Sequence, residues 1–159
     1  MKNSKKETKM KPIKIIILAI LLLTIIAISD AQMIKEINIG DTSYKVNSYL
    51  RKQDYIISQQ TDNVYLALDG YYMLVTLVYK DNYLVSYGML MNDIQTLKAM
   101  TYFLTNYGEP ATLGDNFYWF ISQHIVAVLI SDEDTDIVTI LDYNYIHFIQ
   151  EELEKARNK

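Results

Sequence analysis

Two short stretches, Asp62-Asn63-Val64-Tyr65 and Asp115-Asn116-Phe117-Tyr118, repeat one pattern at a distance of 53 residues. A polar break follows seven positions after the first aspartate of each stretch, at Asp69-Gly70 and at Ser122-Gln123. A second break follows at residues 80–82 and at residues 132–136. Between the breaks lie β-branched and aromatic runs that have the length of strands. This self-similarity predicts a duplicated unit.

Each copy is preceded by residues with the spacing of an amphipathic helix. Val46, Tyr49 and Leu50 find counterparts 54 positions further on, in Met100, Phe103 and Leu104. The first helix is expected to begin after Asp41 or Thr42 and to run to about residue 52. The second is expected to be capped by Asn92 or Asp93 and to stop before Gly108. Its predicted inward side chains are Ile94, Leu97, Met100, Phe103 and Leu104.

Three strands are predicted after each helix, at 63–68, 71–79 and 83–91 and then at 116–121, 124–130 and 137–141. Asp69-Gly70 is interpreted as a two-residue hairpin turn, because both residues tolerate positive φ. Alternation along the strands then selects one aliphatic face as the core face. Its predicted members are Val64, Leu66, Leu68, Met73, Val75, Leu77, Val85 and Met89, and in the second half Phe117, Trp119, Ile121, Val126, Val128 and Ile130.

The predicted fold class is α+β, a tandem α-β-β-β repeat that forms a two-layer antiparallel sheet with its helices on one face. Residues 32–159 form a single domain in this interpretation, with repeats at 39–91 and 92–143 and a C-terminal helix at 144–158. Each half alone would leave its aliphatic face in water. We therefore expect the halves to share one sheet or one core.

Residues 1–31 have the pattern of a signal peptide or an N-terminal membrane anchor. Six lysines lie among the first fourteen residues, and residues 15–28 are apolar apart from Thr24. As a helix this run is about 21 Å long, less than the roughly 30 Å of a bilayer's hydrocarbon core. The pattern therefore favours cleavage after Ser29 or Ala31 over an anchor formed by residues 13–28. Either way we expect export, to the periplasm, the exterior or the outer side of a membrane.

The chain has no cysteine. This excludes disulfides, thiolate catalysis, Cys-ligated zinc and a lipid attached to a lipobox cysteine. Residues 1–31 hold six of the 15 basic side chains but only two of the 19 acidic ones, so residues 32–159 carry a net charge of −8. An excess of negative charge repels phosphate groups, and nucleic acid is therefore not expected as a partner.

Turn residues carry a resemblance to known families. Ile39-Gly40-Asp41-Thr42 precedes Val46 and Leu50, and Tyr107-Gly108-Glu109-Pro110 lies between Leu104 and Tyr118-Trp119. This pattern resembles that of small envelope lipoproteins of the SmpA/OmlA type, and the tandem helix-plus-sheet order is similar to the secreted β-lactamase-inhibitor-protein fold. The resemblance implies a protein that binds other proteins, and neither family implies catalysis. The chain differs from these families in lacking their lipidated cysteine and their disulfides.

Few residues indicate catalysis. His124 and His147 have no metal-ligand spacing between them, and both are interpreted as structural histidines because an acid or base needs a positioned partner. The sequence has no G-x-S-x-G elbow and no glycine-rich phosphate loop. Paired carboxylates leave no local signature, so a carboxylate-based enzyme stays a third hypothesis.

One acidic run resembles part of a metal site. Asp132, Asp134 and Asp136 imitate the first three ligands of a calcium loop. Ile137 and Tyr143, however, stand where such a loop needs Gly and Glu. We therefore expect a solvated hairpin turn, and we predict no metal and no cofactor.

Tyrosine is the most unusual feature, and all fourteen tyrosines follow residue 31. Their rings combine a large apolar surface with a hydrogen-bonding tip, which suits binding surfaces. The candidate protein-contact face lies on the side of the sheet opposite the predicted core and is formed by Tyr65, Tyr72, Thr76, Tyr118 and Phe120. The alternative is structural, because tyrosine also has a high β-propensity.

The leading hypothesis is an exported, non-enzymatic protein-binding module whose tyrosine-rich sheet face contacts a partner protein or a second copy of the chain. The alternative is a structural envelope component that is tethered by its N-terminal helix.

Overall fold

A computed structural model of the chain describes residues 36–70, 74–132 and 135–158. The predicted signal peptide or anchor, residues 1–31, lies outside these residues. The elements are, in chain order, α1 (Ser43–Lys52), β1 (Ile56–Gln59), β2 (Val64–Leu68), β3 (Leu74–Lys80), β4 (Tyr83–Met91), α2 (Asp93–Tyr107), β5 (Ala111–Leu113), β6 (Asn116–Phe120), β7 (Ile125–Asp132), β8 (Thr135–Asp142), a 3-10 turn (Tyr143–Tyr145) and α3 (Ile146–Arg157).

All eight strands form one antiparallel sheet in the order β1-β2-β3-β4-β8-β7-β6-β5. The strands that follow α1 meet those that follow α2 at the central pair β4 and β8, where Met89 lies opposite Val138. The predicted α+β class, the C-terminal helix and the sharing of one sheet are therefore confirmed.

The two sheet-covering helices begin where the sequence places caps. Thr42 accepts a hydrogen bond from the Lys45 amide at the start of α1. Asn92 and Gln95 exchange side-chain and backbone hydrogen bonds at the start of α2, a capping box. Gly108, with φ of 78°, ends α2 in a conformation that glycine adopts without steric cost.

Each half of the sheet has four strands, and the prediction of three is wrong. The additional strands β1 and β5 form the two edges of the sheet, and every residue of β5 is exposed. Short edge strands bury few side chains and therefore carry little of the alternation from which strands are predicted.

Asp69-Gly70 does not form the predicted two-residue hairpin turn, whereas Asp81-Asn82 does form such a turn. Asp81 and Asn82 have φ of 51° and 71°, and the residues that flank them, Lys80 and Tyr83, pair across β3 and β4. Leu68 pairs with Leu74 instead, so five residues join β2 to β3. The predicted two-residue loop would pair Leu68 with Tyr71, so the observed pairing with Leu74 shifts the register of β3 by three residues. Because three is an odd number, each side chain of β3 lies on the face of the sheet opposite to the predicted one.

The sheet has apolar clusters on both faces. The front face carries α1 and α2, and its buried residues include Val46, Leu50, Val75, Leu77, Tyr87, Met89, Ala99, Phe103, Trp119, Ala127, Leu129, Val138 and Ile140. The back face carries α3, and its smaller cluster consists of Val64, Val78, Val85, Val126, Val128, Leu141 and Ile149. The expected core set is thus divided between the faces. The helices α1 and α2 share one face as predicted for the repeat, but α3 covers the other face, so the domain has three layers instead of the predicted two.

Within α2, the inward side is rotated from the predicted one. Thr96, Ala99 and Phe103 are buried, and Met100 packs against the front cluster. Ile94, Leu97 and Leu104 are exposed. None of the described helices is long and apolar enough to cross a membrane.

Candidate functional site

The structure separates the predicted contact residues. Tyr65 lies on the front face, where its ring meets that of Tyr79 edge to face at a centroid distance of 5.5 Å. Thr76, Tyr118 and Phe120 lie on the back face. Tyr72 is outside the described residues. Tyr65 and Tyr118 occupy the same place in the repeated tetrapeptide, yet their rings are on opposite sides of the sheet.

The back face exposes a row of aliphatic side chains that the sequence did not reveal. We call it the back stripe: Ile56, Leu68, Leu74, Leu90, Ile137 and Ile130, on β1, β2, β3, β4, β8 and β7 in turn. Cross-strand pairs place these residues side by side, for example Ile56 with Leu68, Leu68 with Leu74, and Leu90 with Ile137. Ile56 is 76% exposed, and Leu68, Leu90, Ile137 and Ile130 are 37–40% exposed.

A groove of about 240 Å³ opens in the middle of the back stripe. Its floor is formed by small residues, namely Thr76, Ser86, Gly88 and Thr139, and its rim by Leu74, Leu90, Ile137 and Leu153. A Cβ on Gly88 would lie 3.2 Å from Thr139 Oγ1, so a larger residue at this position would crowd Thr139 and fill part of the groove. Leu153 belongs to α3, which therefore forms one wall of the groove.

The back stripe stays exposed because α3 is held near the opposite ends of the strands. Glu152, only 5% exposed, accepts a hydrogen bond from Thr61 Oγ1 at 3.3 Å in the β1–β2 connection. Lys80, at the end of β3, places its ammonium 4.7 Å from the Tyr145 ring centroid and 5.3 Å from that of Phe148. These contacts fix α3 over Val64 and Val78 and away from Leu68 and Leu74.

Carboxylates line the edge of the sheet next to the back stripe. We call this the acidic edge, where β1, β3, β6 and β8 begin and β2, β4, β5 and β7 end. Its aspartates are Asp54, Asp69, Asp93 and Asp115. Asp136 begins β8 at the same edge, but its pairing with Met91 places its side chain on the front face. Asp132, Glu133 and Asp134 add to the negative charge of the β7–β8 connection. Arg51 and Lys52, the last two residues of α1, precede Asp54 at the same edge and offset part of this negative charge.

A second cavity, of about 310 Å³, lies on the front face beside α2. It is lined by Ile37, Asn38, Ile39, Tyr87, Tyr102, Tyr107, Ile121, Ile125 and Ile140. The Tyr87 hydroxyl donates to the Ile37 carbonyl at 3.2 Å, and burial raises the pKa of Tyr87 so that the phenol stays a donor. Here tyrosine holds the segment that leads into α1 against the sheet.

The other residues that the sequence singled out are the two histidines and the acidic run at the β7–β8 connection. The His124 ring meets Tyr143 edge to face at 5.8 Å, and His147 is exposed on α3. Asp136 accepts a hydrogen bond from Ser131 Oγ at 2.6 Å. Asp134 and the side chain of Asp132 lie outside the described part. Among the residues that the structure describes, no three His, Cys, Asp or Glu side chains are placed to hold a metal ion.

Comparison of the chain with protein-family models, with curated proteins and with solved structures gives no match, so its function is inferred from the geometry of the back face.

Proposed function

We propose that the chain is an exported, non-enzymatic module that binds a segment of another protein on the back stripe. The observation that supports this is the stripe itself, six neighbouring aliphatic side chains with a groove at their centre. A contiguous apolar patch on a soluble surface typically marks an interaction site. The turn motifs that resemble those of protein-binding envelope proteins support the same function.

The size of the groove favours a protein partner over a small ligand. At about 240 Å³ it is below the range of roughly 300–1,000 Å³ that is typical of small-molecule sites. It suits one anchoring side chain, while the flanking stripe residues Leu68, Leu90 and Ile137 supply the surrounding apolar contact.

We also propose that the two helix-plus-sheet units arose by duplication. Buried helix positions recur 53 residues apart, as Val46 with Ala99 and Leu50 with Phe103. Front-face positions of β2 and β6 recur 52 residues apart, as with Ala67 and Trp119. The match seen in the sequence has spacings of 54 residues for the helices and 53 for the strands, so each structural spacing is one residue shorter. The shorter spacing pairs residues that share a face, which the tetrapeptide match does not.

Replacement of Leu90 by aspartate is expected to abolish partner binding while leaving the fold intact. The side chain is 37% exposed, so a carboxylate there stays hydrated in the free protein but has to be desolvated in a complex. A photo-crosslinking residue at Ile137 in intact cells should give one discrete adduct that the Leu90→Asp variant loses. The matched control is Ile94→Asp, an exposed aliphatic position on α2 of the front face. An adduct that survives Leu90→Asp, or that Ile94→Asp also removes, would contradict this site.

The export part of the proposal predicts the N-terminus of the mature chain. N-terminal sequencing after cell fractionation should find Asp30 or Gln32 as the first residue, because the apolar run is short for a membrane span. An intact Met1 in the membrane fraction would instead support the tethered envelope component. Intact protein confined to the cytosol would contradict export.

A further inference from the structure

The acidic edge runs along one side of the back stripe, and α3 lies on the other. Residues 32–159 carry a net charge of −8, and four aspartates, Asp54, Asp69, Asp93 and Asp115, lie at this edge. A binding partner that covers Leu68 and Leu90 lies near Asp69 and Asp93, which follow the ends of β2 and β4. The negative charges next to the apolar contact therefore favour a partner with positively charged residues beside its apolar face.

We propose that the occupant of the back stripe is an amphipathic helix of a partner protein, with an apolar face on the stripe and lysine or arginine along the acidic edge. This inference rests on the proposed function and specifies the partner. A strand is not suited to this surface, because the face of a sheet offers no free backbone groups to pair with it. A helix satisfies its own backbone, and α3 already packs on the same face in this way.

The length of the back stripe sets the length of the helix. The stripe crosses six strands, and with about 4.8 Å between neighbouring strands it extends over roughly 24 Å. A helix rises about 1.5 Å per residue, so roughly 16 residues cover this distance. An aliphatic or aromatic residue near the middle of the helix would occupy the groove above Gly88.

Charge also argues against a second copy of the chain as the occupant. Each copy brings the same excess of negative charge, and stacking two stripes would place two acidic surfaces in one interface. The chain's own residues 1–35 combine lysines with an apolar run, but their export signal pattern assigns them a different role.

The test uses three fluorescent peptides of about 16 residues, a length set by the stripe. The first is a helix with leucines on one face and lysines beside them, the second has glutamates in place of the lysines, and the third is a scrambled lysine peptide without an apolar face. Binding is measured by anisotropy titration with the protein as purified from cells, with the N-terminus that the sequencing experiment finds. We expect the lysine helix to bind at least about tenfold tighter than the other two at about 0.05 M salt, and this advantage to shrink at about 0.5 M.

Variants of the protein locate the contact. Leu90→Asp should remove binding of the lysine helix, and Thr76→Leu, which fills the groove without adding charge, should weaken it at least about threefold. Asp54→Asn combined with Asp115→Asn should lower affinity about two- to fivefold at low salt. The matched pair Asp62→Asn and Asp81→Asn removes two exposed charges from the opposite ends of the strands, and it should leave affinity unchanged.

The outcomes separate this inference from the proposed function. Equal affinity of the lysine and glutamate helices, both lost in Leu90→Asp, would overturn the basic partner but leave a binding stripe. Binding of the lysine helix that is indifferent to Leu90→Asp and Thr76→Leu would overturn both. A dimer in sedimentation velocity that Leu90→Asp dissociates would make a second copy the occupant. Binding that appears only after residues 1–35 are deleted would make that segment the occupant.

Discussion

Replacing Trp119 by alanine is expected to lower the free energy of unfolding by about 3–5 kcal/mol. Trp119 is 2% exposed, and its ring stacks on Phe103 of α2 at a centroid distance of 5.2 Å. Its Nε1 donates to the carbonyl oxygen of Gly108 at 3.0 Å, where α2 ends. The substitution therefore removes core volume and also the contact that fixes the end of α2 on β6.

Urea denaturation followed by far-ultraviolet circular dichroism measures this effect. Fluorescence is unsuitable because Trp119 is the only tryptophan in the chain. The neighbouring Phe120 is 67% exposed on the back face, so Phe120→Ala should change stability by no more than about 0.5 kcal/mol. Trp119→Phe, which keeps a ring but loses the N–H donor, should be intermediate. A loss below about 1 kcal/mol for Trp119→Ala would show that the ring does not contribute to the core.

The helices of this fold are predictable because their signals are local. Thr42, Asn92 and Gly108 are recognised by their own chemistry at helix ends, and Val46 and Leu50 by their spacing. The buried side of α2 differs from the predicted one because the helix has a second apolar side, with Ile94 and Leu97, that is exposed. Nothing local distinguishes an inward from an outward leucine when both sides of a helix are apolar.

The faces of the strands depend on information that is not local. A connection of five residues between Leu68 and Leu74, instead of the two expected from Asp69-Gly70, reverses every later assignment on β3. The extra residue at Val85, where the register shifts between β3 and β4, has the same effect on β4. Because both faces of this sheet are apolar, hydrophobicity does not correct such an error.

The back stripe was missed for a related reason. It takes one side chain from each of six strands, and these residues are distant from one another in sequence. A row across a sheet therefore produces no periodicity along the chain. Tyrosines, by contrast, are conspicuous in the sequence, but Tyr79 and Tyr87 are buried in the front cluster. Burial raises the pKa of both phenols, which therefore remain neutral hydrogen-bond donors at physiological pH.

Replacing Glu152 by alanine is expected to destabilise the docking of α3 by about 1–3 kcal/mol at pH 7. One carboxylate oxygen accepts from Lys155 Nζ at 2.6 Å and the other from Thr61 Oγ1 at 3.3 Å. Thr61 Oγ1 in turn accepts from the Val64 amide at 3.0 Å, so the carboxylate connects α3 to the turn before β2. Glu151, the exposed neighbour on the same helix, is the matched control, and Glu151→Ala should change stability by no more than about 0.5 kcal/mol.

The same carboxylate gives the stability of the protein a pH dependence with a defined sign. The hydrogen bond from Lys155 lowers the pKa of Glu152 below its ordinary value of 4.5. A group whose pKa is lower in the folded than in the unfolded chain binds fewer protons when folded, so its stabilising effect is complete above about pH 4.5. That effect is lost as the pH falls through the lower, folded-state value. Urea unfolding measured at a series of acid pH values should therefore show a smaller decline for Glu152→Gln than for the wild-type chain. Equal declines would mean that another carboxylate accounts for the acid sensitivity.

The pH dependence should extend to binding, because α3 forms one wall of the groove through Leu153. Acid that weakens the contact of Glu152 with Thr61 should also weaken binding on the back stripe. Binding by the Glu152→Gln variant should therefore depend less on pH than binding by the wild-type chain.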